Sequence, residues 1–283
     1  MKNFQCPSCD SMQVNEIANV LVGPESFCTS LCHCDDCDFL YLANHEAWLE
    51  SAYQESFYGD TGYMQRNLNT VDFMELFLLL LTQSLPKNSS LKCCDFGTGL
   101  GIFPRMMRDR GFDFWGFDDY ATMDLIKPFL ADHSIDFDVV TAFEVVEHLP
   151  KLSFWLNTFK DSWPSAFVFS TELRANGEVP SEDWWYYAFS NGQHISFHSE
   201  KSLKAALKKE SVPHKLVRVP GTNIYCLAIN DKIETIFRRA AFLYRLLQKF
   251  KFCSKSLRKI LGFSRASLTW DDHIYAMKVK GRA

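Results

Sequence analysis

Residues 91–119, LKCCDFGTGLGIFPRMMRDRGFDFWGFDD, restrict the fold more than any other stretch of the chain. Leu91 to Asp95 is a short apolar segment ending in an acid, and it reads as a strand entering a turn that holds Gly97, Gly99 and Gly101. Ile102 to Arg110 then reads as a helix. Pro104 is tolerated in its first turn, where an N–H has no intrahelical partner to lose, and Gly111 suits the C-terminal cap. Phe112 to Phe117 alternates and is aromatic, which predicts a second strand ending at Asp118 and Asp119. Strand, glycine turn, helix and strand make a β-α-β unit, so the fold class is α/β.

Three glycines let backbone approach a ligand closely, and the sequence around them narrows which ligand. The turn lacks the Gly-Lys-Ser/Thr ending of a triphosphate-binding loop. Its glycines follow G-x-G-x-G and not the dinucleotide spacing G-x-G-x-x-G. Asp118 lies about twenty residues beyond the turn, from where a carboxylate can accept both hydroxyls of a ribose. Adenosine therefore fits this unit better than a pyrophosphate.

Phe137 to Phe143, FDVVTAF, is an apolar β-branched run read as the next strand, and Glu144-Val-Val-Glu147-His148-Leu follows it. With DFGTGLG, the acid of WGFDD and FDVVTAFEVVEHL in this order, the chain resembles the class I S-adenosylmethionine-dependent methyltransferases. The resemblance covers about residues 91–280, with less support over 45–90. It implies a Rossmann-like seven-stranded sheet with helices on both faces. It further implies that Gly97, Thr98, Gly99 and Leu100 wrap the methionine part of the cofactor, with Asp95 and Gly101 in the same site. Asp118 would bind the ribose, and Ala142, Phe143 and Glu144 would flank the sulfonium and the acceptor. One departure is visible: only 18 residues separate Asp119 from Asp138, too few for a full helix, third strand and acidic turn.

Six of the ten cysteines fall in the first 37 residues. Cys6 and Cys9 form one C-x-x-C, and Cys34 and Cys37 form another after 24 intervening residues. Two such pairs supply four thiolates for a tetrahedral, structural Zn²⁺ with no open position for chemistry. Asp10 and Asp38 follow the pairs at a sharp turn, and Asp tolerates the left-handed region. Cys28, Cys32 and His33 leave the second pair's membership open, and two C-x-x-C pairs favour zinc over the alternative of plain buried cysteines. An N-terminal cysteine-rich module ahead of this catalytic domain is similar to that of the sugar C-methyltransferases. The domain reading is a zinc module over 1–45, a helical linker or lid over 46–90, and the catalytic domain over 91–283.

Ala166 to Glu172 reads as the fifth strand, followed by a loop with Trp184, Trp185, Tyr186 and Tyr187 that is either a ring platform or a packed lid. His194, in GQHISFHS, stands where the resembled enzymes place a substrate-serving His, as general base or orienter; Gln193 stands where they often show Glu. His148 is its rival, with a structural role as the other reading. Ser199 suits a helix N-cap, with Ser202 in place of the usual Glu or Gln. Asn223–Ile229 and His273–Val279 read as the final, antiparallel strand pair. Between them, within a helical insertion over about 231–268, residues 232–265 carry ten Lys or Arg against Glu234 alone. That predicts one or two amphipathic helices, either merely solvated or docking on an anionic membrane or lipid-linked glycan.

A net charge of −4 gives no general attraction to nucleic acid. The run Leu76–Leu81 is far short of the ~20 residues of a membrane span and reads as a buried helix. Without a signal-like N-terminus, a cytoplasmic location is expected. The combined expectation is methyl transfer to a small-molecule or glycan-type acceptor, with a sugar, nucleotide-sugar or surface-polysaccharide precursor favoured. A natural-product O-methyltransferase and a non-catalytic adenosine-binding scaffold are the alternatives.

Overall fold

The computed structural model describes residues 4–50, 61–87, 89–132, 135–250, 267–268, 271–272 and 274–275. Two sheets organise them. The larger has six strands: β4 (Lys92–Phe96), β5 (Asp113–Phe117), β6 (Val139–Ala142), β7 (Ala166–Ser170), β9 (Lys215–Arg218) and β10 (Ile224–Ala228), in the order β5-β4-β6-β7-β10-β9. The first four are parallel, and β10 runs antiparallel to both β7 and β9.

Alternation along these strands feeds two cores. Cys93, Val139, Val168 and Cys226 face α1 (Thr61–Gln83), α2 (Ile102–Asp109) and α5 (Asp231–Phe250). Cys94, Val140, Phe167 and Leu227 face the opposite side, against α3 (Ser153–Leu156) and α4 (Glu200–Lys209). The strands are covered on both faces, which is why they read as continuous apolar runs. The LFLLLL run lies in α1 with Phe77 and Leu78 fully buried, and Phe73 and Phe77 meet Phe237 of α5 edge to face. Among the described residues no helix is long and apolar enough to cross a membrane.

Three expectations are corrected. The antiparallel partner of β10 is Lys215–Arg218, not His273–Val279; most of the latter lies outside the described residues, and Ile274 and Tyr275 are helical. The basic helix α5 therefore follows the last strand of the described sheet instead of interrupting a strand pair; residues 251–266 lie outside the described set. The described sheet has six strands, not seven. Where a third strand would run, there is a single parallel bridge between Gly116 and Leu130, which follows a short 3-10 turn at Lys127–Phe129. The short connection noted in the sequence is the physical reason: too little chain is available for a helix and a strand.

The smaller sheet is antiparallel, in the order β1 (Val14–Val22), β2 (Phe27–Cys34), β3 (Leu40–Leu42), β8 (Ser196–Phe197). Its last strand comes from the loop that follows β7, so the N-terminal segment and this loop share a sheet. They share a core too: Val22, Leu31, Leu40 and Trp48 pack with Tyr186, Tyr187, Ile195 and Phe197. Gly192 makes the approach possible. A Cβ on it would lie 2.7 Å from the Cα of Gly23, and its φ of +69° suits glycine. The Trp48 indole N–H donates to the Gly192 carbonyl at 2.8 Å.

Candidate active site and cysteine cluster

The glycine turn leaves β4 with Gly97, Gly99 and Gly101 all at positive φ. Gly97 and Thr98 donate their N–H groups to the Phe117 carbonyl at 2.8 and 3.2 Å, which holds the turn over the end of β5. Side chains at the outer glycines are excluded: a Cβ on Gly97 would lie 2.6 Å from Val145, and one on Gly101 2.6 Å from Ile126. Ile126 also covers Gly116 in β5, a fit that sequence reasoning did not anticipate. Leu100 is half-buried on the turn.

Asp118, at the end of β5, accepts the Gly99 N–H at 2.8 Å through Oδ2, while its Oδ1 accepts the N–H groups of Tyr120 and Ala121. The carboxylate is thus locked to the turn, with about one lone-pair site, on Oδ2, left for a ribose hydroxyl. Asp95 lies buried beneath, accepting the Thr141 hydroxyl at 2.6 Å. Burial pushes its carboxyl up to about 7, against the lowering effect of the Thr141 hydrogen bond. Thr98 Oγ1 is buried beside Asp95 and also favours its charged form.

At the end of β6, Ala142 is buried, Phe143 half-buried and Glu144 exposed. Glu144 takes a left-handed φ of 55°, unusual for a non-glycine residue. Ser170 at the end of β7 holds it there: the Glu144 N–H donates to Ser170 Oγ at 2.8 Å, and Ser170 Oγ donates back to Glu144 Oε1 at 2.6 Å. A 3-10 turn, Val146–His148, follows.

His148 and His194 meet at the mouth of this turn, edge to face with ring centroids 5.0 Å apart. His194 Nδ1 lies 2.7 Å from the Tyr186 carbonyl, so that nitrogen carries the proton and donates it, leaving a lone pair on Nε2. Burial holds His194 below the ordinary imidazole value, against the opposing pull of the Tyr186 carbonyl and the Glu144 charge. Burial also drives His148 down to about 3, helped by its neighbour His194 and opposed by a hydrogen bond to the Gln193 backbone. Both rings are neutral near pH 7. The structure thus brings three predicted residues, Glu144, His148 and His194, to one place. It adds Glu147, which the sequence reading left unassigned although it sits in the same EVVEH segment. Trp185 is exposed nearby, whereas Tyr186 and Tyr187 are buried; Tyr186 packs against His194 with centroids 4.8 Å apart.

The cysteine cluster lies in the small sheet. Cys6, Cys9, Cys34 and Cys37 bring their sulfurs within 4.8 Å of one another. The Cys6–Cys37 and Cys9–Cys34 sulfur pairs are each 3.6 Å apart. That is too long for a disulfide at ~2.05 Å. It is close to the ~3.8 Å edge of a tetrahedron built on Zn–S bonds of ~2.3 Å. Asp10 and Asp38 adopt the left-handed conformation after each pair, at φ 63° and 64°. Cys28 and Cys32 stand outside the group: Cys28 is exposed, and the buried Cys32 thiol reaches the Ser30 carbonyl at 3.8 Å. His33 faces Asp38, with its Nε2 2.8 Å from Oδ1.

A family profile described as "Methyltransferase domain" matches residues 65–210, more than half of the chain. The chain belongs to this methyltransferase family. No curated protein matches it in sequence. Solved structures similar to it include magnesium protoporphyrin IX methyltransferase from Synechocystis PCC 6803 with bound SAH. That match has 13% identity and a TM-score of 0.39, and covers 65% of this chain and 95% of that one. The mitomycin 7-O-methyltransferase MmcR matches at 12% identity and TM-score 0.40, over 62% and 59% of the two chains. The CurJ carbon methyltransferase matches at 12% identity and TM-score 0.39, over 56% and 54%.

Proposed function

We propose that this methyltransferase takes its methyl group from S-adenosylmethionine held at Gly97–Gly101 and Asp118, and passes it to a small-molecule or glycan-type acceptor. The observation that carries the cofactor reading is the lock between Asp118 and the Gly99 N–H, which places a carboxylate acceptor beside a glycine turn. The donor set fits the group: Asp118 answers a ribose hydroxyl, and the buried Asp95 lies below the turn as a counter-charge for a cationic ligand. When bound, S-adenosylmethionine supplies an activated methyl on a sulfonium centre.

The chain's own residues then position the acceptor. Phe143 and Glu144 flank it at the end of β6, and His194 presents the Nε2 lone pair to hold an acceptor hydroxyl or take its proton. The exposed Trp185 offers an aromatic face beside this mouth, and together with the likeness to sugar enzymes it favours a sugar, nucleotide-sugar or polysaccharide precursor. The four-cysteine group fits a structural Zn²⁺ that stiffens the small sheet. A cytoplasmic setting and a docking role for the basic segment 232–265 belong to the same reading.

The test is binding followed by turnover. Calorimetry is expected to show S-adenosylhomocysteine bound far more tightly than NADH; the reverse order overturns the cofactor assignment. A screen of nucleotide-sugars and glycan precursors with labelled cofactor then seeks the acceptor. With it in hand, His194→Ala is expected to lose ~10²–10⁴-fold in turnover at unchanged cofactor affinity. Near-normal turnover removes His194 from the mechanism.

A further inference from the structure

Glu147 is the least satisfied polar group near the site. It is fully buried, and neither carboxylate oxygen has a hydrogen-bond partner among the described residues. The hydroxyls of Tyr186 and Thr171 face it and favour its charged form; at 3.0 Å they also bond one another, which leaves one proton between them for the two carboxylate oxygens. The nearest charge is Glu144, of the same sign, and no Lys or Arg pairs with Glu147 among the described residues. A buried carboxylate is normally hydrogen-bonded, paired with a cation or bound to a metal.

Two imidazoles stand beside this carboxylate. One donor atom from each of Glu147, His148 and His194 lies within 4.8 Å of the others. His194 is oriented as a metal-ligating histidine is, with Nδ1–H donated to a backbone carbonyl and the Nε2 lone pair directed away from it. His148 is fixed through the Gln193 backbone. The Ile195 N–H donates to the Glu147 carbonyl at 2.9 Å, which ties together the two segments that carry the donors. His148 and His194 each keep some exposed surface, while His148 Nδ1 and both Glu147 oxygens are enclosed.

We infer that Glu147, His148 and His194 form a divalent-cation site whose open positions take a hydroxyl oxygen of the acceptor. One carboxylate and two imidazoles suit ions such as Zn²⁺, Fe²⁺, Co²⁺ or Mn²⁺, and three protein ligands leave room for an exogenous oxygen. The ion's two positive charges are matched by Glu147 and by Glu144 at the mouth. Val145 packs against Gly97, so the site borders the cofactor turn. The inference rests on the methyltransferase reading and deepens it: the Nε2 lone pair of His194 serves the metal, and the acceptor class is an alcohol or diol. In the transfer, the metal-bound hydroxyl gives its proton to the Glu144 carboxylate. The oxygen's lone pair forms the new O–CH₃ bond, and the S–CH₃ bond breaks with its electron pair remaining on sulfur.

The experiment uses the full chain loaded with one equivalent of zinc, which the four thiolates hold most tightly, and titrated with Co²⁺ and separately with Mn²⁺. About one further ion is expected to bind, with Co²⁺ showing visible d–d bands and no thiolate charge-transfer band. Glu147→Gln and His194→Gln are each expected to weaken this binding about 100-fold or more. Binding of S-adenosylhomocysteine to the variants reports that they are folded. If Glu147→Gln does not fold, His194→Gln decides alone. Failure of both ions to bind, or binding unchanged in the variants, overturns the metal site while leaving the cofactor reading intact. Loss of S-adenosylhomocysteine binding by the unaltered protein overturns the cofactor reading instead.

Discussion

Asp38 and Arg174 form a buried ion pair, Nη2 to Oδ1 at 2.9 Å, between the second cysteine pair and the loop that follows β7. Both side chains are almost completely enclosed, at 3% and 1% exposure, which separates this pair from an ordinary surface bridge. Asp38 also accepts the Gly177 N–H at 3.0 Å and faces His33, while Arg174 donates to the Phe197 and Glu178 carbonyls. Both carboxylate oxygens and all three guanidinium nitrogens are therefore engaged. Removing one partner strands the other in a dry interior, which typically costs about 3–5 kcal/mol. Arg174→Met is expected to lower unfolding stability by that order in a denaturant titration. A loss under about 1 kcal/mol would mean that water enters and the pair is not structural.

The cysteine cluster makes a compositional prediction. Protein purified without chelators is expected to carry about one zinc ion by elemental analysis. Cys34→Ser and Cys37→Ser are each expected to lose it, and Cys28→Ser to keep it, since Cys28 is exposed and outside the group. Because β3 pairs with both β2 and β8 in one sheet, metal loss should also loosen the loop carrying His194. Hydrogen exchange over residues 184–197 reads this out. Zinc retained in both Cys34→Ser and Cys37→Ser would shift the ligand set to Cys32.

What was legible in the sequence was what is local. The glycine turn, its helix and the acid after β5 lie within thirty residues, and the two C-x-x-C pairs announce themselves by spacing. Ser199 reads as a cap, and the structure completes a reciprocal box with Ser202, whose hydroxyl takes the place of the usual carboxylate. The rest depends on contacts between distant segments. Nothing around Asp38 points to Arg174, 136 residues away. Lys215–Arg218 carries little sequence signal because it is a short edge strand with charged ends, in which only Val217 is buried. Glu147 carries no sequence signal of its own, because the groups that meet it, Tyr186 and the Ile195 N–H, come from a distant segment of the chain.

Asp118 offers a direct test of cofactor geometry. Its carboxylate accepts three backbone N–H groups, from Gly99, Tyr120 and Ala121. Asp118→Ala removes both the ribose acceptor and the lock on the turn, leaving donors unsatisfied. A loss of roughly 1–3 kcal/mol in S-adenosylhomocysteine binding is expected by calorimetry. Asp118→Asn keeps one acceptor oxygen and should fall between the two. Unchanged affinity in Asp118→Ala would place the ribose elsewhere.

Asp95 predicts a proton coupled to cofactor charge. Burial raises its carboxyl from 3.8 to about 7, against the Thr141 hydrogen bond and with added repulsion from Asp118. A carboxyl raised in the folded state contributes stability that is fully present below its unfolded value. That contribution is lost as pH rises through about 7, so the unliganded protein should weaken across this window. A cationic ligand over the glycine turn favours the ionised form. Binding of S-adenosylmethionine should therefore release a proton below pH 7, and its affinity should fall by up to about tenfold per unit as pH drops further. S-adenosylhomocysteine lacks the sulfonium charge and should show a shallower slope. Calorimetry in two buffers of different ionisation heat measures the proton directly. Asp95→Asn preserves an acceptor for Thr141 and is expected to abolish the release. A proton count that is the same for both ligands, or that persists in Asp95→Asn, would detach this carboxyl from the sulfonium.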